Sequence, residues 1–117
     1  MMTEALKVKL DLRDGLAVIY TEGYINNQGG EEIARVAEEA MGQGHKVVLL
    51  NLVGTKIVNS IGISILIEII EKMLEIDGKL AFCSLTPTIE KTFHIMGLAQ
   101  YAGIYPDEDG AVQGMVS

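Results

Sequence analysis

The segment NLVGTKIVNSIGISILIEIIEK, residues 51–72, contains the transition from strand to helix that decides the fold. It starts inside the apolar run KVVLLNLV, residues 46–53, which is typical of a strand buried on both faces. Residues 54–59 are predicted to form a loop, and a helix is predicted from about Ser60 to Ile76, ended by Gly78. A buried strand followed directly by a helix indicates a parallel β-sheet and hence an α/β fold.

The same alternation extends through the rest of the chain. Four leucines and valines at residues 6, 8, 10 and 12 alternate with polar residues, Asp14-Gly15 is a turn signal, and residues 16–22 return as a second strand. We then expect a loop at 23–30, a helix at 31–41, a strand at 80–85, a helix from Pro87 to about Met96 capped by Thr86, a strand at 100–105 and a helix opened by Asp107. The predicted order is ββαβαβαβα: one α/β domain over residues 1–117, with a mixed, mostly parallel β-sheet packed with about four helices.

Composition excludes several classes of protein. The 117 residues carry 9 Lys+Arg against 16 Asp+Glu, and this net charge of −7 argues against a nucleic-acid partner. The single cysteine, Cys83, predicts a reducing, cytoplasmic setting, and residues 1–5 do not have the pattern of a secretory signal. The most apolar window, residues 57–76, contains Glu68, Glu71, Lys72 and Glu75, so we expect a soluble protein that makes no contact with a membrane.

No catalytic or cofactor motif is found. The two histidines, His45 and His94, have no partners at metal-ligand spacing, so no metal site is predicted. Neither a phosphate-binding loop nor a dinucleotide fingerprint occurs, since the glycine-rich residues 23–30 lack the lysine and the spacing. We therefore expect a protein that is not an enzyme and that uses no cofactor.

Ser60 is the informative residue, and the sequence leaves two interpretations open. Asn59 and Ser60 are both favoured as N-caps, so a structural role at the helix start explains them. The same position offers free N–H groups and a partial positive charge, which would tolerate a phosphate attached to Ser60. The residues alone do not choose between a cap and a phosphorylation site.

The helix after Ser60 has apolar residues on two sides. At 100° per residue, the core stripe comprises Ile63, Leu66, Ile67, Ile70, Met73 and Leu74. A second stripe on the opposite side comprises Ile61, Ile65, Ile69 and Ile76. One apolar face is enough to dock a helix on a sheet, so the second stripe is either a partner interface or lies beneath the terminal helix.

The chain resembles the STAS domain, specifically the small stand-alone bacterial anti-sigma factor antagonists. The resemblance covers nearly the whole chain and depends on the strand order and three motifs. These are Asn59-Ser60-Ile61-Gly62-Ile63, where the family typically has Asp-Ser-Ser-Gly-Leu; Leu85-Thr86-Pro87 with Met96-Gly97-Leu98, which bound a helix; and Gly23-Tyr24-Ile25-Asn26, which is similar to the Gly-x-Leu-Asp loop of the family.

The resemblance implies a partner switch. An unphosphorylated antagonist binds an anti-sigma factor, often also a serine kinase, and so frees a sigma factor; phosphorylation abolishes binding and a serine phosphatase restores it. On this basis Ser60 is the phosphorylation site, Ile61, Gly62 and Ile65 lie on the docking face, and Asn26 and Asn59 shape the surrounding loops. The antagonist is a substrate of the kinase and has no turnover of its own.

The chain departs from the family pattern at five positions. Asn26, Asn51 and Asn59 stand where aspartate is usual, Ile61 replaces the second serine, and Ser64 replaces a common glycine. Less local negative charge would repel a phosphoserine less, or it would change recognition by the kinase. The alternative function is a constitutive, non-phosphorylated scaffold that self-associates through Ile61, Ile65 and Ile69, or forms a weak homodimer; a third is a small-ligand or nucleotide-binding domain.

Overall fold

The computed structural model describes residues 6–116, which form five strands, four α-helices and one short 3₁₀ helix. The prediction that residues 1–5 carry no signal sequence concerns residues outside this range. The elements are β1 (Lys7–Arg13), β2 (Leu16–Ile25), α1 (Asn27–Gly42), β3 (Val47–Val58), α2 (Ser60–Glu75), β4 (Lys79–Cys83), α3 (Pro87–Ile95), the 3₁₀ turn Leu98–Gln100, β5 (Gly103–Tyr105) and α4 (Glu108–Val116). The predicted order of strands and helices and the α/β class are confirmed.

The strands form a single mixed sheet in the order β1-β2-β3-β4-β5. β1 and β2 are an antiparallel hairpin around Asp14 and Gly15, and β2, β3, β4 and β5 run parallel. Each parallel pair is joined through a helix, as right-handed crossovers require. The order of strands in space therefore equals their order along the chain.

Two hydrophobic clusters lie on the two faces of the sheet. The larger one joins β1, β2, β3 and β4 to α1, α2 and α3, with Phe82 packed edge-on against Phe93 at 4.9 Å between ring centroids. The smaller one lies beneath α4 and contains Leu16, Val18, Leu49, Ala81, Cys83, Ala111 and Met115. Three helices thus cover one face, and a single helix of nine residues covers part of the other.

The predicted loops before α1 and before α2 were wrong. Residues 54–58 continue β3 instead of leaving it, because they pair with the end of β2 up to Ile25↔Val58. β3 carries one extra residue opposite Tyr20–Glu22 and another opposite Gly23–Tyr24. These β-bulges interrupt the alternation of buried and exposed residues, so the segment does not have the pattern of a strand. Residues 23–30 are likewise divided between β2 and the first turn of α1.

The middle of the second apolar stripe of α2 is covered, but not by the terminal helix, whereas Ile61 and Ile76 at its two ends are exposed. Ile65 and Ile69 are only 6% and 2% exposed, and they lie in the cluster that contains α1. The helix α1 packs along α2, and Lys72 forms an ion pair with Glu38 across this contact. The expectation that α4 buries this stripe is wrong, because α4 lies on the opposite face of the sheet.

The predicted cap of α3 is confirmed, and α4, which was predicted to open with acidic residues, has a cap as well. The Thr86 hydroxyl accepts a hydrogen bond from the N–H of Ile89 at 3.2 Å, and Pro87 follows as the first helical residue. Asp107 caps α4 by accepting from the N–H of Gly110 at 2.8 Å. Within residues 6–116, no helix combines the length and the apolar character that crossing a membrane requires.

Candidate functional site

Two helices begin side by side at the carboxyl edge of the sheet. β2 and β3 are parallel and end in register at Ile25 and Val58, so the residues that follow, Asn26 and Asn59, are neighbours in space. The N–H of Asn59 donates a hydrogen bond of 3.1 Å to the carbonyl oxygen of Ile25. The start of α1 and the start of α2 are therefore held together by backbone contacts.

Asparagine caps both helices in the same way. The Asn26 side-chain oxygen accepts from the N–H of Gly29 at 2.8 Å, and the Asn59 side-chain oxygen accepts from the N–H of Gly62 at 2.7 Å. Each cap satisfies one of the N–H groups that the first helical turn leaves without a partner. The capping role that the sequence divided between Asn59 and Ser60 therefore belongs to Asn59.

Ser60 is the first helical residue of α2, and its side chain is exposed. No hydrogen bond to its hydroxyl is found within residues 6–116. The backbone N–H groups of Ser60 and Ile61 lie in the first turn of α2, where no preceding turn supplies carbonyl oxygens to accept their hydrogen bonds. An anion attached to this hydroxyl would lie at the positive end of the helix dipole, where negative charge is stabilised by about 0.3–1 kcal/mol.

Glycine allows the two helix starts to approach this closely. A Cβ atom on Gly62 would overlap the carbonyl oxygen of Ile25, and one on Gly30 would lie 2.8 Å from Cδ1 of Ile65. Gly62 is therefore buried beneath the site and supports it through backbone packing. Ile65 fills the space beside Gly30, so its side chain is a contact between α1 and α2 and is not available on the surface.

Three apolar side chains near Ser60 in the sequence are exposed. Ile61 is 53% exposed at the second position of α2, and Ile57 and Val53 on β3 are 58% and 68% exposed. The sequence pattern identified Ile61 but missed the other two, because Ile57 was assigned to a loop and Val53 to a strand buried on both faces. β3 extends beyond Asn51, its last residue paired with β4, and Val53 and Ile57 lie in this extension.

The three asparagines at positions of usual aspartate do not form one cluster. Asn26 and Asn59 are the two caps, whereas Asn51 lies on the face of the sheet that carries α4. The Asn51 amide donates to Glu108 at 3.1 Å, and its carbonyl oxygen accepts from the N–H of Val53 at 3.0 Å. Asn51 therefore connects the sheet to α4 and makes no contact with the Ser60 site.

Glu108 is the centre of that connection. Arg13 donates to Glu108 at 3.0 Å, and also to Asp11 and to the hydroxyl of Tyr20. Burial acts to raise the pKa of the Glu108 carboxyl, but polar contacts with Tyr20, Arg13 and Asn51 outweigh it and hold the pKa below its ordinary value. An aspartate at position 51 would place a second carboxylate against Glu108.

The histidines, the cysteine and the acidic residues of the described part of the chain do not form a metal site. Among residues 6–116, no three His, Cys, Asp or Glu side chains come together as a group that could hold a metal ion. His94 is exposed, 3.9 Å from Glu90, and His45 is half-buried in the turn before β3. Cys83 is buried beneath α4, and burial raises the pKa of its thiol to about 11.

The architecture and the site define a class: a small α/β domain whose parallel strands bring two helix starts together beside an exposed serine. The family model described as the STAS domain matches residues 7–111. The chain belongs to the STAS domain family. The resemblance stated from the motifs is thereby confirmed.

Solved structures with the same fold include three bacterial proteins. An anti-sigma factor antagonist from Mycobacterium paratuberculosis is 18% identical, with a TM-score of 0.85 over 99% of this chain and 100% of that one. The Bacillus cell fate determinant SpoIIAA in its phosphorylated form is 19% identical, with a TM-score of 0.71 over 92% and 97%. An anti-sigma-factor antagonist domain protein from Planctomyces limnophilus is 20% identical, with a TM-score of 0.79 over 94% and 98%.

Proposed function

We propose that this protein is an anti-sigma factor antagonist that binds an anti-sigma factor or serine kinase through the start of α2 and is switched off by phosphorylation of Ser60. The single observation that carries this proposal is the position of Ser60. Its hydroxyl is exposed at the first position of α2, while the neighbouring Asn59 supplies the cap. A serine that the fold does not need for capping is available for modification.

The surroundings of Ser60 fit a docking surface. Ile57 and Ile61 are exposed apolar side chains within three residues of it along the chain. Together with Asn26 and Asn59 they provide the mixture of apolar contact and side-chain amides that protein interfaces use. The domain has the fold of anti-sigma factor antagonists, including one that exists in a phosphorylated form, and this agreement supports the same role here.

The proposed switch acts by charge. A phosphoserine adds about −1.5 to −2 charges at pH 7. In the free antagonist this charge lies at the N-terminus of α2, where the helix dipole favours negative charge, so the fold tolerates it. Inside an interface the same charge loses its hydration beside Ile57 and Ile61, which opposes docking. A serine phosphatase that removes the group restores binding, and the antagonist itself catalyses nothing.

The neutral charge of the two asparagine caps affects how strongly a phosphate on Ser60 is repelled. Asn26 and Asn59 cap their helices through neutral amides, so neither cap adds negative charge next to Ser60. A phosphate is therefore less repelled by its own protein than it would be beside two aspartates. We infer that the kinase of this system recognises an uncharged loop, and that Asn59→Asp weakens phosphorylation while it preserves the cap.

The test compares how a negative charge at Ser60 and a negative charge elsewhere on the surface change binding of the partner. Binding of Ser60→Asp and Ser60→Ala to a candidate anti-sigma kinase is measured by titration calorimetry, and phosphate on Ser60 is sought by mass spectrometry after incubation with that kinase and ATP. We expect Ser60→Asp to bind at least about tenfold more weakly than the parent, a change of about 1.4 kcal/mol. Ser60→Ala should bind normally and accept no phosphate.

Thr88→Asp is the matched control. Thr88 is exposed near the start of α3, so the substitution adds the same charge to another helix start. It should bind like the parent. If Ser60→Asp also binds like the parent, or if both variants lose affinity equally, charge at Ser60 is not the switch.

Most of the surface that the scaffold alternative would use for self-association is buried within the domain. Of the three isoleucines through which it would self-associate, Ile65 and Ile69 are buried against α1, and only Ile61 is exposed. One side chain provides much less area than the roughly 800 Å² per partner of a standard interface. The proposed antagonist role therefore agrees better with the structure than constitutive self-association through this helix.

A further inference from the structure

A groove of about 610 Å³ runs between α2 and the segment that ends α3 and enters the 3₁₀ turn. Its walls include Ile67, Glu71 and Leu74 from α2, with Ile95, Met96 and Tyr101 from the other side. The sequence placed Leu74 in the core stripe, and this was wrong: α3 ends at Ile95 and leaves the last turns of α2 without a partner on that side.

The apolar walls of this groove are open. Leu74 and Met96 are each 49% exposed, Tyr101 is 64% exposed and Ile95 is 72% exposed. Single exposed apolar residues are ordinary on a protein surface, whereas several around one concavity are typical of a binding site. The lining follows α2 over about two turns, from Ile67 to Leu74, and an apolar depression beside a helix fits an amphipathic helix laid along it.

Charge determines which kind of helix fits. Glu71 is part of the groove wall, and Glu75 is exposed one turn further along α2, whereas Glu68 lines the cleft between α1 and α2. Lys72 on the same helix forms an ion pair with Glu38 of α1 and partly offsets the charge of Glu68 and Glu75, but it leaves Glu71 in the groove wall. On the opposite side Lys91 is exposed one turn before Ile95. The α2 side of the groove is therefore acidic and the α3 side carries a positive charge.

We propose that this groove docks a basic amphipathic helix of a partner protein, with its apolar face on Leu74, Ile95 and Met96 and its lysine or arginine residues along Glu71 and Glu75. Opposite charges along one edge fix the orientation of the docked helix. A second copy of this chain fits less well, because each copy carries a net charge of −7 and a two-fold contact would bring Glu71 near its own counterpart.

The groove is separate from the Ser60 surface. The nearest wall residue, Ile67, lies seven residues after Ser60, about 10.5 Å along the helix at 1.5 Å per residue, and the charged wall residue Glu71 lies about 16.5 Å away. A charge on Ser60 is thus about two Debye lengths from Glu71 at physiological ionic strength, where one such length is about 8 Å. We therefore expect phosphorylation of Ser60 to change helix docking in the groove only slightly.

The probe is a fluorescein-labelled synthetic peptide of about 18 residues with leucine and lysine at amphipathic helical spacing. Its dissociation constant for the full chain is measured by fluorescence anisotropy, and its site is mapped by amide chemical shifts. We expect shifts at Leu74, Ile95 and Tyr101, and a loss of affinity of about tenfold or more for Ile95→Ser and for Glu71→Lys. A peptide with glutamate in place of lysine should bind the parent weakly and Glu71→Lys better.

Two control variants separate the groove from the rest of the surface. Ile57→Ser removes another exposed isoleucine outside the groove, and Ser60→Asp adds charge at the switch; both should bind the lysine peptide with little change from the parent. Shifts that map elsewhere, or an unchanged affinity of Ile95→Ser, overturn the proposal. It is also overturned if sedimentation shows a dimer that Glu71→Lys or Ile95→Ser dissociates, since the occupant is then a second copy.

Discussion

At the scale of single residues, Gly62 determines how closely the start of α2 approaches the end of β2. It is the third residue of α2, and its N–H is held by the Asn59 cap while its Cα faces the carbonyl oxygen of Ile25. No other residue fits, because any Cβ would overlap a backbone oxygen that cannot move away as a side chain does. The glycine of the motif is therefore a packing requirement of the site and need not contact a partner.

Gly62→Ala tests this packing. We expect the free energy of unfolding to fall by about 1–3 kcal/mol, which is typical of overpacking in a buried position. The measurement is urea unfolding followed by circular dichroism. Gly42→Ala is the matched control, since a Cβ on Gly42 at the end of α1 meets open space and alanine favours helix by up to about 1 kcal/mol. A Gly62→Ala variant as stable as Gly42→Ala would contradict the packing argument.

At the scale of secondary-structure elements, one carboxylate adds polar contacts between α4 and the sheet to the apolar packing of Ala111 and Met115. Glu108 in the first turn of α4 accepts hydrogen bonds from Arg13 of β1 and Asn51 of β3. Both donors lie on the face of the sheet that α4 covers. The asparagine at position 51 is explained by this contact, because an amide can donate to Glu108 and an aspartate cannot.

The lowered pKa of Glu108 predicts a pH dependence. Because the folded pKa lies below the ordinary glutamate value of 4.5, ionised Glu108 stabilises the fold at pH values above 4.5. This contribution is lost as the pH falls through the folded pKa. We therefore expect Glu108→Gln to be less stable than the parent at neutral pH and to approach it in acid, as measured by urea midpoints across the pH range.

Glu31→Gln serves as the control for that series. Glu31 is exposed on α1 and takes part in no ion pair found among residues 6–116. Its substitution should change the urea midpoint little at any pH. If the difference between Glu108→Gln and the parent is the same at neutral and acidic pH, Glu108 does not stabilise the fold through its charge.

At the scale of the whole molecule, the two faces of the sheet differ in how they are covered. The face toward α1, α2 and α3 buries most of the core, whereas the other face depends on α4. Cys83 lies on that second face, buried with Ala111 and Met115 of α4. Burial raises the pKa of its thiol to about 11, so both access and ionisation limit its reaction.

Thiol reactivity of Cys83 therefore reports whether α4 is in place. We expect the parent to react slowly with a thiol reagent near neutral pH and Ala111→Arg to react much faster, because Ala111 is fully buried and arginine cannot fit there. Val116→Arg is the control on the same helix, since Val116 is 52% exposed. Circular dichroism should show that the sheet persists in both variants. Equal rates for Ala111→Arg and Val116→Arg would mean that α4 does not shield the thiol.

Much of this organisation could be predicted from local patterns. The alternating residues of β1, the apolar runs of β3 and β4, the cap at Thr86 and the acidic residues from Asp107 predicted the order of elements because each pattern reflects contacts within a few residues. The position of Ser60 at the start of a helix followed in the same way. What local patterns missed were the bulged end of β3 and the early start of α1, where pairing between β2 and β3 overrides composition.

The sequence by itself determined the class of fold, the element order and the presence of a serine at a helix start, since spacing and capping chemistry are local properties. Only the tertiary structure decided which side chains remain exposed. Ile65 is buried because α1 packs on α2 at Gly30, and Leu74 is exposed because α3 ends early. Both isoleucine and leucine satisfy the same helical periodicity, and exposure depends on which distant element packs against them.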